Sequence, residues 1–544
     1  MASSPPPPRG GHPGQNGNNG YYHNGYEEQV PSPLTAMLTD GITHNGQPAP
    51  PYQQPAPAYS APPAPTQAPG TAASRPEDFE HLAEVPGLPG LLDTSVLASI
   101  KQEASRLLSE QAKDRMWSQA DREQQARAIV RRLVADWAAG YAETARPLSR
   151  EEEEAVRAAI FNGMFRAGPL QPYLDDDSVE DILLDGDKVV VEYHDKPRAE
   201  MPKLFTSQQA LKDWVNIMAA KSGHGERQLS PATPSVGFRL PDGSRVTATT
   251  LTTQPAVAIR RHRIRNLTLA DLHRLGTLSE SIMHFLRASV ESGRNILVAG
   301  EMGAGKTSLV RSLGRSIPAS ERIVTLESDR ELYLDDEGAD GPYTLAMEAR
   351  QSNGERDDSG RLIGEVSIAD MFPTALRLNA TRIIVGEVRS VEIKPMLQAM
   401  AAGGSGSMCT IHVRRTGNIK EGVIGRLVQL CTEAGLSEAA AYRLIAAGVD
   451  LVVYIEMIDE TAIGGVKHRF VSHIFEVVDT GEGGRPDVTK LFQPKLAEMG
   501  EPRAMFHSQP SFADDLTRRG RFDRDWLQLS NSYWSKPLNL VLPL

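Results

Sequence analysis

This chain reads as an α/β protein, on three observations. Between about residues 276 and 480, strands apolar along their whole length alternate with helical stretches: NILVAG, ERIVTLES, TRIIVGEV, SMCTIHV and DLVVYIEM. Such strands belong to a parallel sheet covered on both faces. A glycine-rich stretch follows the first strand and runs straight into TSLVRSLGRSI, which has helical periodicity. Upstream, the short strands VEDILLDG, KVVVEYH, SRVTATTL and AVAIRRH surround one helix, SQQALKDWVNIMAAKSG, the make-up of a smaller α+β domain.

The parts follow in order. Residues 1–78 are Pro, Gly, Ala, Gln, Asn and Tyr in low-complexity order. They hold too few apolar side chains to offset the entropy of ordering, so a disordered tail is expected. Residues 79–165 are expected to form a helical bundle. Leu97, Ile100, Ala104, Leu107 and Leu108 recur at steps of three and four, as do Ile129, Leu133 and Trp137. Ser149 in SREEE caps a third helix, with acidic residues in the first turn where the helix dipole favours them. The α+β domain takes residues 166–265, with PDG in RLPDGSRV as a tight turn. The parallel α/β domain takes residues 266–480. Residues 481–544 are mixed in pattern and are assigned no role.

At 544 residues the chain has room for about two to four domains. A hydrophobic fraction of 40% lies a little below the globular average, in keeping with a segment that does not fold. The net charge of −11 argues against nucleic acid as a partner and leaves the basic run RRHRIR at 260–265 to be explained. Cys409 and Cys431 stand far apart, which excludes a disulfide framework and a four-cysteine zinc site and fits a reducing cytoplasm. The opening MASSPPPPRGG lacks the apolar core of a signal peptide. The longest nearly apolar stretch, LIAAGVDLVVYIEMI, is interrupted by Asp450 and too short to span a bilayer.

GEMGAGKT, Gly300–Thr307, fits G-x-x-x-x-G-K-[ST], and its strand–loop–helix setting is where that motif works. Gly300, Gly303, Ala304 and Gly305 let the loop turn and bring backbone N–H groups onto a β-phosphate, while the helix start at Lys306, Thr307 and Ser308 adds partial positive charge. Lys306 is expected to reach the β- and γ-phosphates, and the Thr307 hydroxyl to ligate Mg²⁺. A carboxylate near the metal or the attacking water is also needed. Glu327 closes IVTLE and Glu387 closes RIIVGE, both at strand ends where ligands bind in open sheets. Either alone reads equally as a solvated cap; two on successive strands after such a loop favour function. His412 ends the strand after a glycine-rich turn, a structural histidine or a phosphate sensor. Arg377 and Arg389 flank the Glu387 strand, as surface arginines or as stabilisers of γ-phosphate charge.

The order GEMGAGKT, IVTLESDREL, ALRLNATRIIVGEVR, MLQAMAAGGSGSMCTIH resembles the ATPases of type II and type IV secretion and pilus assembly. The four stretches correspond to that family's Walker A, Asp box, Walker B and His box. RLPDGSRV and AIRRHR look like the tight-adherence (Flp) pilus assembly branch. The resemblance covers roughly residues 90–480. It implies a hexameric ring of two-domain subunits, each with a RecA-like P-loop motor domain and an N-terminal domain that closes over ATP. It ties Glu327 to catalysis and Glu387 to Mg²⁺ or water. It also implies pocket arginines from the N-terminal domain and linker, here Arg239, Arg245, Arg260 and Arg261, with a solvated hinge as the competing reading of the basic run. Two departures stand out: Gly404 replaces an earlier His-box histidine, and LAMEARQSNGERDDSGRLIGEVSIADMF carries a polar insertion.

The function implied is an ATP-hydrolysing, Mg²⁺-dependent motor of a bacterial secretion or pilus system, cytoplasmic and peripheral to the membrane. Its expected partners are its own copies and integral inner-membrane platform proteins. Two alternatives remain: a nucleotide-binding scaffold with little hydrolysis, supported by Gly404, and a DNA-translocating RecA-like motor, disfavoured by the acidic net charge.

Overall fold

The computed structural model describes residues 94–113, 116–144, 146–222, 228–261, 267–336, 341–350, 352, 358–359, 363–481 and 484–542. The expected tail at 1–78 and the end of the basic run, 262–265, lie outside the described residues.

Helices Thr94–Ala112, Gln119–Thr144 and Arg150–Phe165 pack Ile100, Ala104, Leu108, Ile129, Val130, Val134, Val156 and Ile160 into one small core. The third helix starts where SREEE places it. The Glu152 N–H donates to Ser149 Oγ at 3.1 Å, and Glu152 Oε2 accepts from the Ser149 N–H at 2.8 Å.

Next comes an all-antiparallel sheet of β1 (Val179–Asp185), β2 (Lys188–Tyr193), β3 (Ala199–Met201), β4 (Ser235–Arg239), β5 (Arg245–Thr249) and β6 (Ala256–Arg260), in the order β3-β2-β1-β6-β5-β4. The helix Gln208–Lys221, capped by Ser207, buries Leu211, Trp214, Val215 and Met218 in this domain's core. PDG turns the chain between β4 and β5. Gly243 has φ +85°, a left-handed value that favours glycine, and its N–H donates to the Leu240 carbonyl at 2.8 Å.

The larger sheet holds β7 (Ile296–Gly300), β8 (Arg322–Glu327), β9 (Tyr343–Glu348), β10 (Arg382–Val388), β11 (Met408–His412), β12 (Leu451–Asp459), β13 (Lys467–Thr480), β14 (Pro486–Lys495) and β15 (Glu501–Phe506). Their order is β15-β14-β13-β12-β7-β11-β10-β8-β9. From β12 to β9 every pairing is parallel, and from β12 to β15 every pairing is antiparallel. Along β7, Ile296 and Val298 enter one core and Leu297 and Ala299 the other, all fully buried. Covering both faces is why these strands are apolar at every position rather than at alternate ones.

Two stretches of this sheet did not stand out in the sequence. The expected boundary at 480 falls between β13 and β14, so two further strands of the same sheet lie beyond it. Beyond β15, Leu516, Phe522 and Leu527 are buried in the same core as Ile296 and Leu309. Each fully buried large apolar side chain contributes roughly 1.5–3 kcal/mol, so this segment is part of the domain's stability. The stretch assigned to a polar insertion begins as β9, an edge strand with no fully buried residue, and ends as the helix Ile368–Arg377.

Candidate nucleotide-binding site

The glycine-rich loop leaves β7 at Gly300 and enters the helix Lys306–Gly314. A side chain at Gly300 would put a Cβ 2.3 Å from the Ile455 carbonyl oxygen, so the strand accepts none there. Gly303 and Gly305 have φ of +75° and +97°, conformations that cost an L side chain. Helices that begin after Ser207, Thr268, Ser279 and Ser367 have side-chain caps. The helix at Lys306 begins on Gly305 with no side-chain cap, so its first N–H groups stay available to an anion. Ala304 is buried, and Thr307 and Ser308 are half-buried in the first turn.

Lys306 is only 5% exposed. Its Nζ donates to the Glu301 carbonyl at 2.8 Å and to Nδ1 of His412 at 3.0 Å. His412 Nε2 lies 2.9 Å from Glu387 Oε1, and Arg389 donates to Glu387 Oε2 at 2.8 Å. With Nδ1 accepting, the ring carries its proton on Nε2 and donates it to Glu387. The sheet order explains the meeting: β7, β11 and β10 are neighbours, and their C-terminal ends carry the loop, His412 and Glu387. Burial pulls Lys306 down to about 8 against the opposing charges of Glu387, Glu331 and Glu301. Burial pushes Glu387 up, but hydrogen bonds from His412 and Arg389 overcome it and hold it at about 2.

Glu327 is 2% exposed, and its Oε2 accepts from the backbone N–H groups of Glu331 at 2.7 Å and Leu332 at 2.8 Å. A Cβ on Gly386 would come within 3.1 Å of Glu327 Cγ, so glycine before Glu387 is what lets the two strand-end acids sit side by side. Burial lifts Glu327 to about 7 in spite of the two N–H donors. A carboxyl raised in the folded state stabilises the fold below its ordinary value of 4.5, and that contribution is lost as pH rises through 7. Glu327→Gln keeps an acceptor for both N–H groups. It is expected to raise stability over wild type at pH 8 by roughly 1–3 kcal/mol, with the gain vanishing near pH 5. Thermal melts at the two pH values check this; a gain of equal size at both would contradict the assignment.

The four N-terminal-domain arginines divide. Cross-strand register puts Arg239 opposite Arg245, Arg245 opposite Arg260 and Arg260 opposite Asp181. A row of like charges repels itself unless acids meet it. Arg239 pairs with Glu348 on β9, and Arg245 lies 3.0 Å from Asp329 and 3.8 Å from Glu331. Tyr333 Oη donates to the Gly243 carbonyl at 3.2 Å. The β4–β5 hairpin therefore sits on the segment that Glu327 anchors. Arg260 turns to Asp181 at 2.9 Å, and Arg261 to the Asp176 carbonyl and to Asp177 at 3.7 Å. Neither joins the loop. Arg377 is exposed at the end of its helix, and no hydrogen bond or ion pair among the described residues ties it to the group.

Sequence reasoning missed three contacts. Glu301 accepts from the Arg415 N–H at 3.0 Å, and Glu331, raised by burial, faces the same charged group. Arg469 on β13 donates to the Gly303 carbonyl at 2.8 Å. The one signal was Lys467 and Arg469 at period two in KHRFV, which means nothing until β13 is known to lie near the loop. Among the described residues no cluster of three or more His, Cys, Asp or Glu is set to hold a metal, and no helix is long and apolar enough to cross a membrane.

A parallel sheet bearing this loop, with acids and a histidine at the ends of the strands beside it, defines a RecA-like P-loop domain. The chain belongs to the type II/IV secretion system protein family, whose pattern matches residues 190–473. The type IV secretion system protein PtlH of Bordetella pertussis is 35% identical over 188 residues, 34% of this chain and 51% of its own. The chain thus spans about half the length of that relative. The type IV secretion system protein VirB11 of Brucella suis is 26% identical over 363 residues, 60% of this chain and 92% of its own. The crystal structure of the VirB11 ATPase from the Brucella suis type IV secretion system, in complex with sulphate, aligns over 57% of this chain and 92% of its own at 23% identity and a TM-score of 0.29.

Proposed function

We propose that this protein is the ATP-hydrolysing motor of a bacterial secretion or pilus-assembly system. The observation that carries the reading is the hydrogen-bonded line Lys306–His412–Glu387 laid along a phosphate loop, in a chain of the secretion family. Bound Mg²⁺–ATP supplies the phosphoanhydride whose cleavage drives the motor. Lys306 leaves the Glu301 carbonyl and His412 for the β- and γ-phosphates, and His412 is then free to report the γ-phosphate. Thr307 and Glu387 would hold Mg²⁺, which would offset the negative charge of the phosphates. The two strand-end acids have environments that push them apart, and this divides their roles. Glu387, near 2, stays ionised to hold metal or water; Glu327, near 7, takes the proton from the attacking water. Arg239 and Arg245, seated on the segment after Glu327, carry changes there to the N-terminal sheet. Arg389 steadies Glu387, and Arg260, although paired with Asp181, adds positive charge toward Glu331. A hexameric ring at the cytoplasmic face of the membrane, working on integral platform proteins, fits the family.

The full-length protein is expected to release phosphate from ATP only with Mg²⁺ present, with no stimulation by DNA at moderate salt. Binding without turnover would instead leave a nucleotide-binding scaffold. Stimulation by DNA would make the protein a nucleic-acid motor.

A further inference from the structure

A second set of charges touches the phosphate loop from its other flank. In the order β13-β12-β7-β11-β10, Arg469 stands on the side of β7 away from His412 and Glu387. Its Nε donates to the Gly303 carbonyl at 2.8 Å, and its Cδ lies 3.7 Å from where a Gly305 Cβ would be. Its Nη2 donates to Glu180 Oε1 at 2.9 Å, and Lys467 Nζ donates to Glu180 Oε2 at 2.8 Å. Glu180 belongs to β1 of the N-terminal sheet, so this is a tie between two domains made at the lip of the loop. Two cations share this carboxylate, with Asp459 on β12 opposite Lys467 as a second acid nearby. Burial works against the ionised Glu180, yet Arg469 and Lys467 keep its carboxyl below the usual range.

We propose that Arg469 binds the nucleotide on its adenosine side, at the α-phosphate, and that Glu180 of the N-terminal sheet is an intramolecular competitor for it. This rests on the ATP reading above. Lys306, His412 and Glu387 occupy the terminal-phosphate end, so the rest of the nucleotide must leave along the flank where Arg469 stands. A guanidinium has five N–H donors and suits phosphate; the contacts to Gly303 and Glu180 use two of them. The α-phosphate is common to ATP and ADP, so Arg469 sets retention of both rather than choosing between them. With nucleotide bound, Arg469 turns from Glu180 to the phosphate and Glu180 keeps Lys467; as ADP leaves, Glu180 takes the arginine back.

ADP affinity of the full-length protein, measured by calorimetry, tests this. Arg469→Ala is expected to weaken ADP about tenfold, the scale of one charge-assisted contact. Arg469→Lys should fall between Arg469→Ala and wild type. Glu180→Gln is expected to move the other way, tightening ADP roughly threefold with a steeper salt dependence, because the competitor is gone and both cations remain. The double variant should bind like Arg469→Ala alone. Weaker binding in Glu180→Gln would mean that the three residues only brace the loop, and the proposal fails. Unchanged affinity in both single variants, with thermal midpoints kept, also overturns it. If wild type binds no ADP at all, the ATP reading itself is what fails.

Discussion

Lys306→Ala is expected to abolish Mg²⁺-dependent ATP turnover, a loss of at least about a hundredfold, since one preorganised charge on a transferring phosphoryl group commonly supplies that much. The loss should not come from unfolding. Lys306 is a buried ammonium held by a carbonyl and a histidine, and burial already works against its charge. Removing it relieves that cost, so the thermal midpoint should hold or rise. Lys306→Arg keeps a charge, but its larger planar group has no room at a 5% exposed site between Glu301 and His412. It should recover little activity. Steady-state phosphate release together with a melt separates these outcomes; turnover near the wild-type rate in Lys306→Ala would remove the loop from the chemistry.

Glu387→Gln should cut turnover by about a hundredfold or more while ATP affinity stays within a fewfold of wild type. The amide oxygen can accept from His412 Nε2 or from Arg389 but not from both, so the charge at the metal or water position goes together with one of these two hydrogen bonds. The pH dependence then assigns the second acid. Glu387 is ionised across the working range, whereas Glu327 near 7 gains its proton as pH falls. The wild-type rate is expected to decline below pH 7, on a limb that belongs to Glu327 and is absent in Glu327→Gln. A limb that persists in Glu327→Gln would move the base elsewhere.

What could be read from the residues follows from how each element is buried. β7, β8, β10, β11 and β12 are covered on both faces, and their apolar runs carry that fact in plain sequence. Gly300, Lys306, Glu387 and His412 lie at the ends of such runs, so the sequence marks these candidate residues, and the structure brings them together. β9 is an exposed edge, and β13 to β15 mix polar with apolar positions, so local pattern alone cannot assign them to a sheet. The arginines show the limit most sharply. Arg239, Arg245 and Arg260 form one row, and only register and the positions of Asp181, Asp329 and Glu348 decide which of them meet the acidic segment. Glu180 and Arg469 lie far apart in the chain, and no spacing announces their pairing.

The strand order also bears on how the protein is made. The strand that bears the phosphate loop lies mid-sheet, and its β12 neighbour is synthesised some 150 residues later. Gly300 packs on Ile455, Gly303 on Met457, and Gly305 on Ile455 and Arg469. A nascent chain that has already exposed the complete motif thus lacks one side of the bed on which the loop rests. On the proposed function, nucleotide binding then waits for β12, and a ribosome-bound fragment ending before that strand carries the signature without the complete bed for the loop.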